Sequence, residues 1–181
     1  MRVAVYGGSF NPPHVGHAMV TSWLNWTNLV DEVWLMPTYS HAFSKDLAEF
    51  SMRVEWCRLF AAAIGDWVQV TEIERTLPRP SYSIDSLRAL QSLHPNYAFR
   101  FVVGADVLPE TANWKDWASI EREFRPIIVG RTGYQNPSDS VVFPGVSSTD
   151  IRNRIREKKA FEHLVVHEVA ESLKKAMQAF D

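Results

Sequence analysis

The apolar run Val3-Ala4-Val5-Tyr6 leads straight into Gly7-Gly8-Ser9-Phe10-Asn11-Pro12-Pro13-His14-Val15-Gly16-His17, and no other stretch of the chain restricts the fold as tightly. A β-rich run that stops at paired glycines and restarts with helical spacing reads as a strand, a turn and a helix start. Glycines allow close approach of the backbone to an anion, and the free N–H groups at a helix start favour phosphate. With Gly16 opening the helix, His14 stands just before the first turn and His17 just inside it. Both rings can then face a phosphate at the strand's carboxyl end. The spacing fits neither the dinucleotide fingerprint nor the Walker loop, and taken singly the histidines are an ordinary loop residue and an ordinary helix-start residue.

The remainder of the chain sets the fold class. Short β-rich runs at Val3–Tyr6, Glu32–Met36, Trp67–Ile73, Phe99–Val103 and Pro126–Val129 alternate with helical patterns over Gly16–Trp26, Ser51–Ile64, Ser83–Leu93, Ser148–Lys158 and Val166–Ala179. Several of these helices begin at serine, a favoured N-cap. The alternation predicts an α/β, Rossmann-like, doubly wound parallel sheet. A single domain over residues 1–181 is expected, with the helical part from about 148 packed on it. Ligands of such sheets bind beyond the carboxyl ends of the strands. Motifs gather there: Gly7 to His17 after the first strand, Pro37 to Lys45 after the second, Gly104-Ala105-Asp106 after the fourth and Arg131-Thr132-Gly133-Tyr134 after the fifth.

Composition narrows the class of partner. A chain of 181 residues, 46% hydrophobic and with a net charge of −2, can bury a substantial core and has no broad basic footprint for nucleic acid. Nothing approaches the roughly twenty apolar residues of a membrane span, and the start lacks a signal-peptide layout. A cytoplasmic protein is expected, with homo-oligomerisation left open. The one cysteine, Cys57, cannot form an internal disulfide and reads as core. Asn25-Trp26-Thr27 matches a glycosylation acceptor without a secretory context.

A second motif, Val146-Ser147-Ser148-Thr149-Asp150-Ile151-Arg152, again opens a helix. Its hydroxyls and first N–H groups suit phosphate oxygens, and Arg152, one turn in, offers a forked donor. The bland alternative is a capped helix with solvated arginines, which describes Arg154, Arg156, Lys158 and Lys159.

His14-Val15-Gly16-His17 resembles the H-x-G-H signature of the nucleotidyltransferase superfamily, and Gly7 to His14 looks most like the bacterial nicotinate-nucleotide adenylyltransferases. Residues 146–152 resemble that family's I-S-S-T-x-x-R, with valine leading. Ser81-Tyr82-Ser83-Ile84-Asp85-Ser86-Leu87 is similar to its S-Y-T-x-D-T-L, and Gly104-Ala105-Asp106 with Trp114 and Trp117 to its G-A-D with a downstream tryptophan. The resemblance spans nearly the whole chain. It implies transfer of AMP from ATP to nicotinate mononucleotide, giving deamido-NAD and pyrophosphate, with Mg²⁺ arriving on ATP. His14, His17 and Arg152 would be catalytic. ATP would meet Gly7, Gly8, Ser9, Phe10, Gly16, Lys45, Ser147, Ser148 and Thr149. The mononucleotide would meet Gly104, Arg131, Asp106 through a ribose hydroxyl, Tyr82 and Ser83 through loop N–H groups, and Trp114 or Trp117 by stacking.

One stretch departs from the family, which carries M-P-N and then P-P-H-K. Here Met36-Pro37-Thr38-Tyr39-Ser40-His41-Ala42-Phe43-Ser44-Lys45 lacks the prolines and places its lysine one position later. The competing readings are the same chemistry on nicotinamide mononucleotide, on phosphopantetheine or with a cytidylyl donor, and a nucleotide-binding regulator without catalysis. A synthetase fragment is excluded by the lack of a K-M-S-K-S-like segment and of room for a tRNA-binding domain.

Overall fold

The computed structural model describes residues 1–40 and 47–178. Its elements are β1 (Arg2–Gly8), α1 (Val15–Trp26), β2 (Glu32–Pro37), α2 (Phe50–Ile64), β3 (Val68–Val70), α3 (Ser83–Leu93), β4 (Ala98–Gly104), α4 (Trp117–Phe124), β5 (Ile127–Arg131), β6 (Val142–Phe143), α5 (Ser148–Arg156) and α6 (His167–Gln178). The strands form one six-stranded sheet in the order β3-β2-β1-β4-β5-β6, every pair parallel. The expected α/β doubly wound sheet is what forms.

Its two-sided core arises from the period of two along each strand. Val3 and Val5 of β1 and Phe99, Phe101 and Val103 of β4 join Ile84, Leu87, Ile120 and Phe124 of α3 and α4. Ala4, Val33, Leu35 and Val102 face the other way, onto Leu24 of α1, Cys57 and Phe60 of α2, Ile151 of α5 and Val169 and Leu173 of α6. The C-terminal helix is tied in further where Trp56 Nε1 donates to Ser172 Oγ at 3.2 Å.

Three local expectations need correction. The third strand ends at Val70 rather than Ile73, because Thr71 Oγ1 accepts from the Ile73 N–H at 3.3 Å and the chain turns into a 3-10 helix at Ile73–Thr76. α4 and β6 were not expected; one is eight residues long and the other two. Serine capping holds at one helix: Ser147 Oγ accepts from the Asp150 N–H at 3.1 Å, whereas Glu49 and Tyr82 occupy the cap positions of α2 and α3 without a side-chain cap bond.

Candidate active site

β1 and β4 are neighbours whose onward connections run to opposite edges of the sheet, to β2 and to β5. This is the switch point where such a sheet leaves a crevice beyond its carboxyl ends. A cleft of about 310 Å³ opens there, with Gly7 and Gly8 on one side and Gly104 and Asp106 on the other. A Cβ at Gly104 would collide with the Asp106 carboxylate, so the glycine lets that side chain fold back over the strand end.

The turn after β1 is held in an unusual shape. Phe10 has φ +45°, a left-handed conformation that disfavours a bulky side chain, yet it is almost fully buried. Its ring packs edge-on to Tyr6 at 5.8 Å and against His17 at 4.9 Å, and that packing supports the turn. His14 then caps α1, and its ring lies 3.8 Å from the His17 ring, inclined by 32°. Gly16 permits this pairing, since a Cβ there would stand 3.0 Å from the His14 ring.

The two histidines are not equivalent. His17 lines the cleft; His14 is buried behind it. His17 Nδ1 accepts from the His14 backbone N–H at 3.1 Å, so a neutral His17 carries its proton on Nε2 and is a donor there. His14 Nδ1 is buried with no hydrogen-bond partner among the described residues. Burial first, then the positive charge of Arg131, pushes the His14 pKa down to about 4. His17 is held well below its ordinary value by burial, then by His14 and Arg131. At neutral pH both rings are uncharged.

The second motif lies against the first. Ser148 Oγ donates to the Pro12 carbonyl at 2.8 Å, and Arg152 donates to the Asn11 carbonyl at 2.7 Å and to Thr149 Oγ1 at 3.2 Å. Beside them, at the end of β5, Arg131 pairs with Asp106 at 2.6 Å and donates to the Val146 carbonyl at 2.7 Å. One arginine thus joins three strand-end segments.

Of the residues singled out in the sequence, Gly7, Gly8, Ser9, His17, Tyr82, Ser83, Gly104, Asp106, Trp114 and Arg131 line the cleft. Phe10, Gly16, His14, Ser147, Ser148, Thr149 and Arg152 are not among its lining residues. Trp114 packs on Phe101 at 6.1 Å, and Trp117 stands behind it at the start of α4, edge-on at 5.7 Å. α3 begins at Ser83, so its first N–H groups have no acceptor within the helix. Lys45 lies outside the described residues. Sequence reasoning gave no role to Thr38 and Ser81, although they lie in the motifs it quoted, and missed Glu74 and Lys115 on the cleft wall. A carboxylate at Glu74, just past the β-rich run, carries no local signal, because its place depends on Tyr39, 35 residues away, as well as on Ser81.

No group of three or more His, Cys, Asp or Glu that could hold a metal ion occurs among the described residues. Nor, among them, is any helix long and apolar enough to cross a membrane.

Residues 5–154 match the model of the cytidylyltransferase-like family, which fixes the class. A probable nicotinate-nucleotide adenylyltransferase of Anaeromyxobacter sp. strain K is 42% identical over 171 residues, covering 93% of this chain and 91% of its own. Its counterpart in Myxococcus xanthus is 37% identical over 166 residues, 91% of this chain and 87% of that one. Among solved structures, Plasmodium falciparum nicotinic acid mononucleotide adenylyltransferase complexed with NaAD superposes with a TM-score of 0.81 over 97% of this chain and 95% of that chain; at 19% identity it attests the fold. The chain belongs to the nicotinate-nucleotide adenylyltransferase family within the cytidylyltransferase-like class.

Proposed function

We propose that this chain, acting as one cytoplasmic nucleotidyltransferase domain, transfers AMP from MgATP to nicotinate mononucleotide, releasing pyrophosphate and deamido-NAD. The observation that carries this reading is the convergence of residues 11–17 and 146–152 at the switch point, made by the Ser148 and Arg152 bonds to Pro12 and Asn11. Two helix starts and the His17 ring then lie at the same end of the sheet. The adenylyltransferase relatives supply the substrates.

The mononucleotide's 5′-phosphate oxygen attacks the α-phosphorus of ATP as the bond to the bridging oxygen of pyrophosphate breaks. The attacking phosphate is already ionised near neutral pH, so no covalent intermediate and no strong base are required. Catalysis is then positioning and charge stabilisation. His17, with Nδ1 occupied, offers Nε2–H to the α-phosphate oxygens. His14 stands behind it, and a bound polyanion favours protonation of the His14 ring, whose Nδ1 has no partner among the described residues. Arg152 and the first turn of α5 receive the departing pyrophosphate. Asp106 takes a ribose hydroxyl, Trp114 covers the pyridine ring, and the first amides of α3 meet the ring carboxylate. In this reading Mg²⁺ would enter and leave with the phosphates of ATP, easing the charge that builds on them.

Pyrophosphate release from MgATP, measured with nicotinate mononucleotide, nicotinamide mononucleotide and phosphopantetheine at equal concentration, tests the reading. Strong selectivity for the first is expected. Turnover of another acceptor alone would keep the phosphate chemistry and discard the assignment at residues 82, 83 and 114. Binding without turnover would leave only a nucleotide-binding protein.

A further inference from the structure

Glu74 belongs to none of the sequence motifs, yet it is 4% exposed and stands on the cleft wall, in the 3-10 helix after β3. Its Oε2 accepts from the Tyr39 N–H at 2.8 Å and from the Ser81 hydroxyl at 2.7 Å. The segment leaving β2 and the segment leading into α3 therefore meet on one carboxylate oxygen. They meet again further out, where the Arg79 guanidinium lies over the Tyr39 ring at 4.5 Å and donates to its hydroxyl.

A buried carboxylate is a costly way to join two loops, since desolvation opposes its charge. Burial does push the Glu74 pKa up, and the Ser81 and Tyr39 bonds, then the charge of Arg53, pull against that. Arg53 is itself 2% exposed, and its guanidinium donates to the carbonyls of Ser9, Thr38 and Ala48 at 2.8, 2.8 and 2.9 Å. Charged acceptors make stronger and geometrically stricter bonds than neutral ones, which suits a group that must set a position. What it sets is Ser81, and Tyr82 and Ser83 at the start of α3 come directly after it in the chain.

We infer that Glu74 is a positioning residue for the acceptor mononucleotide: by holding Ser81 against Tyr39 it fixes where the first turn of α3 stands at the cleft. The inference rests on the assignment of residues 82 and 83 to the mononucleotide. Glu74 needs no contact with the reacting atoms.

Steady-state kinetics of the wild type, Glu74→Met, Glu74→Gln and Ser81→Ala test it. Glu74→Met is expected to raise KM for nicotinate mononucleotide about tenfold while KM for ATP and kcat stay within about twofold, the pattern of lost acceptor binding alone. Glu74→Gln keeps a carbonyl oxygen that accepts both bonds and should recover most of the loss. Ser81→Ala should raise the same KM. In ligand-free protein, the Tyr39 amide should exchange its hydrogen faster in Glu74→Met. A parallel rise in both KM values, or a wild-type mononucleotide KM in Glu74→Met, would overturn the inference. If Glu74→Met does not fold, Ser81→Ala decides, and an unchanged mononucleotide KM there would overturn it. Failure of the functional reading looks different: the wild type itself would not turn over nicotinate mononucleotide.

Discussion

Gly16 lets the His14 ring lie 3.0 Å from the place a Cβ would take, and that ring in turn packs on His17, which lines the cleft. Gly16→Ala makes the His14 ring give by a few tenths of an ångström, and since misplacing a catalytic group by about 1 Å costs on the order of 100-fold, a shift of that smaller size passed on to His17 should cost about fivefold. Pyrophosphate release by Gly16→Ala should fall by about that factor while circular dichroism stays native; wild-type turnover would rule out the ring pairing as a working element. Removal of one preorganised donor to a developing anion costs roughly 2.7–4 kcal/mol, so His17→Ala should lower kcat about 100-fold or more. The same pair sets a pH dependence of folding. His14 titrates at about 4 in the folded chain, against 6.5 for an ordinary histidine. Between those values the unfolded chain takes up a proton that the folded chain refuses. Stability is therefore complete above the unfolded value and falls as pH drops toward the folded one, with about 3 kcal/mol at stake for His14. Urea unfolding at neutral pH and near the lower value should show His14→Gln losing less stability than the wild type; equal losses would reject the assignment.

At the scale of elements, α5 is the piece to which the proposed function gives the phosphate contacts. Ser147 caps it, Ile151 anchors it in the core, and Ser148 and Arg152 reach the turn after β1. Replacing an N-cap serine by alanine costs about 1 kcal/mol, so Ser147→Ala should lower Tm by about 3 °C. Thermal unfolding followed in the presence and absence of MgATP checks this: the variant's ligand-induced stabilisation should shrink as well, and an unchanged Tm would mean that the cap is not holding the helix start. The elements visible in the sequence are those with a long period. β1, β2, β4 and β5 and five helices show their hydrophobic repeats over four or more residues. β6 has two residues and pairs only because Gly130 and Arg131 lie alongside, so no repeat announces it. α4 buries Ile120 and Phe124 against the sheet over two turns, too few for its pattern to stand out from the tryptophan-rich stretch before it. β3 looked longer because Thr71 and Ile73 are β-formers, yet a local Thr71 hydroxyl bond takes the chain out of the sheet.

For the molecule as a whole, two cores back to back across one sheet predict a cooperative unit. Cys57 lies at 0% exposure on α2 in one of them, its thiol pushed up by burial. Labelling by a thiol reagent should be slowed in native buffer by on the order of 1,000-fold or more relative to denatured chain, since it must wait for unfolding. Rapid labelling without loss of structure would show that α2 opens on its own. The parallel sheet was legible from the amino acids, because the period of strands and helices is written into neighbouring residues. So was the placing of Gly7 to His17, Gly104 to Asp106 and residues 146–152 at strand or helix ends, because turns and helix starts have local chemistry. Tertiary structure alone decided that His17 rather than His14 lines the cleft, that Trp114 stands in front of Trp117, that Arg131 holds Asp106, and that Glu74 joins Tyr39 to Ser81. Arg131 meets Asp106 across 25 residues of chain and Glu74 meets Tyr39 across 35, and which ring of each neighbouring pair turns to the cleft depends on the elements packed around it, so no local pattern encodes these arrangements.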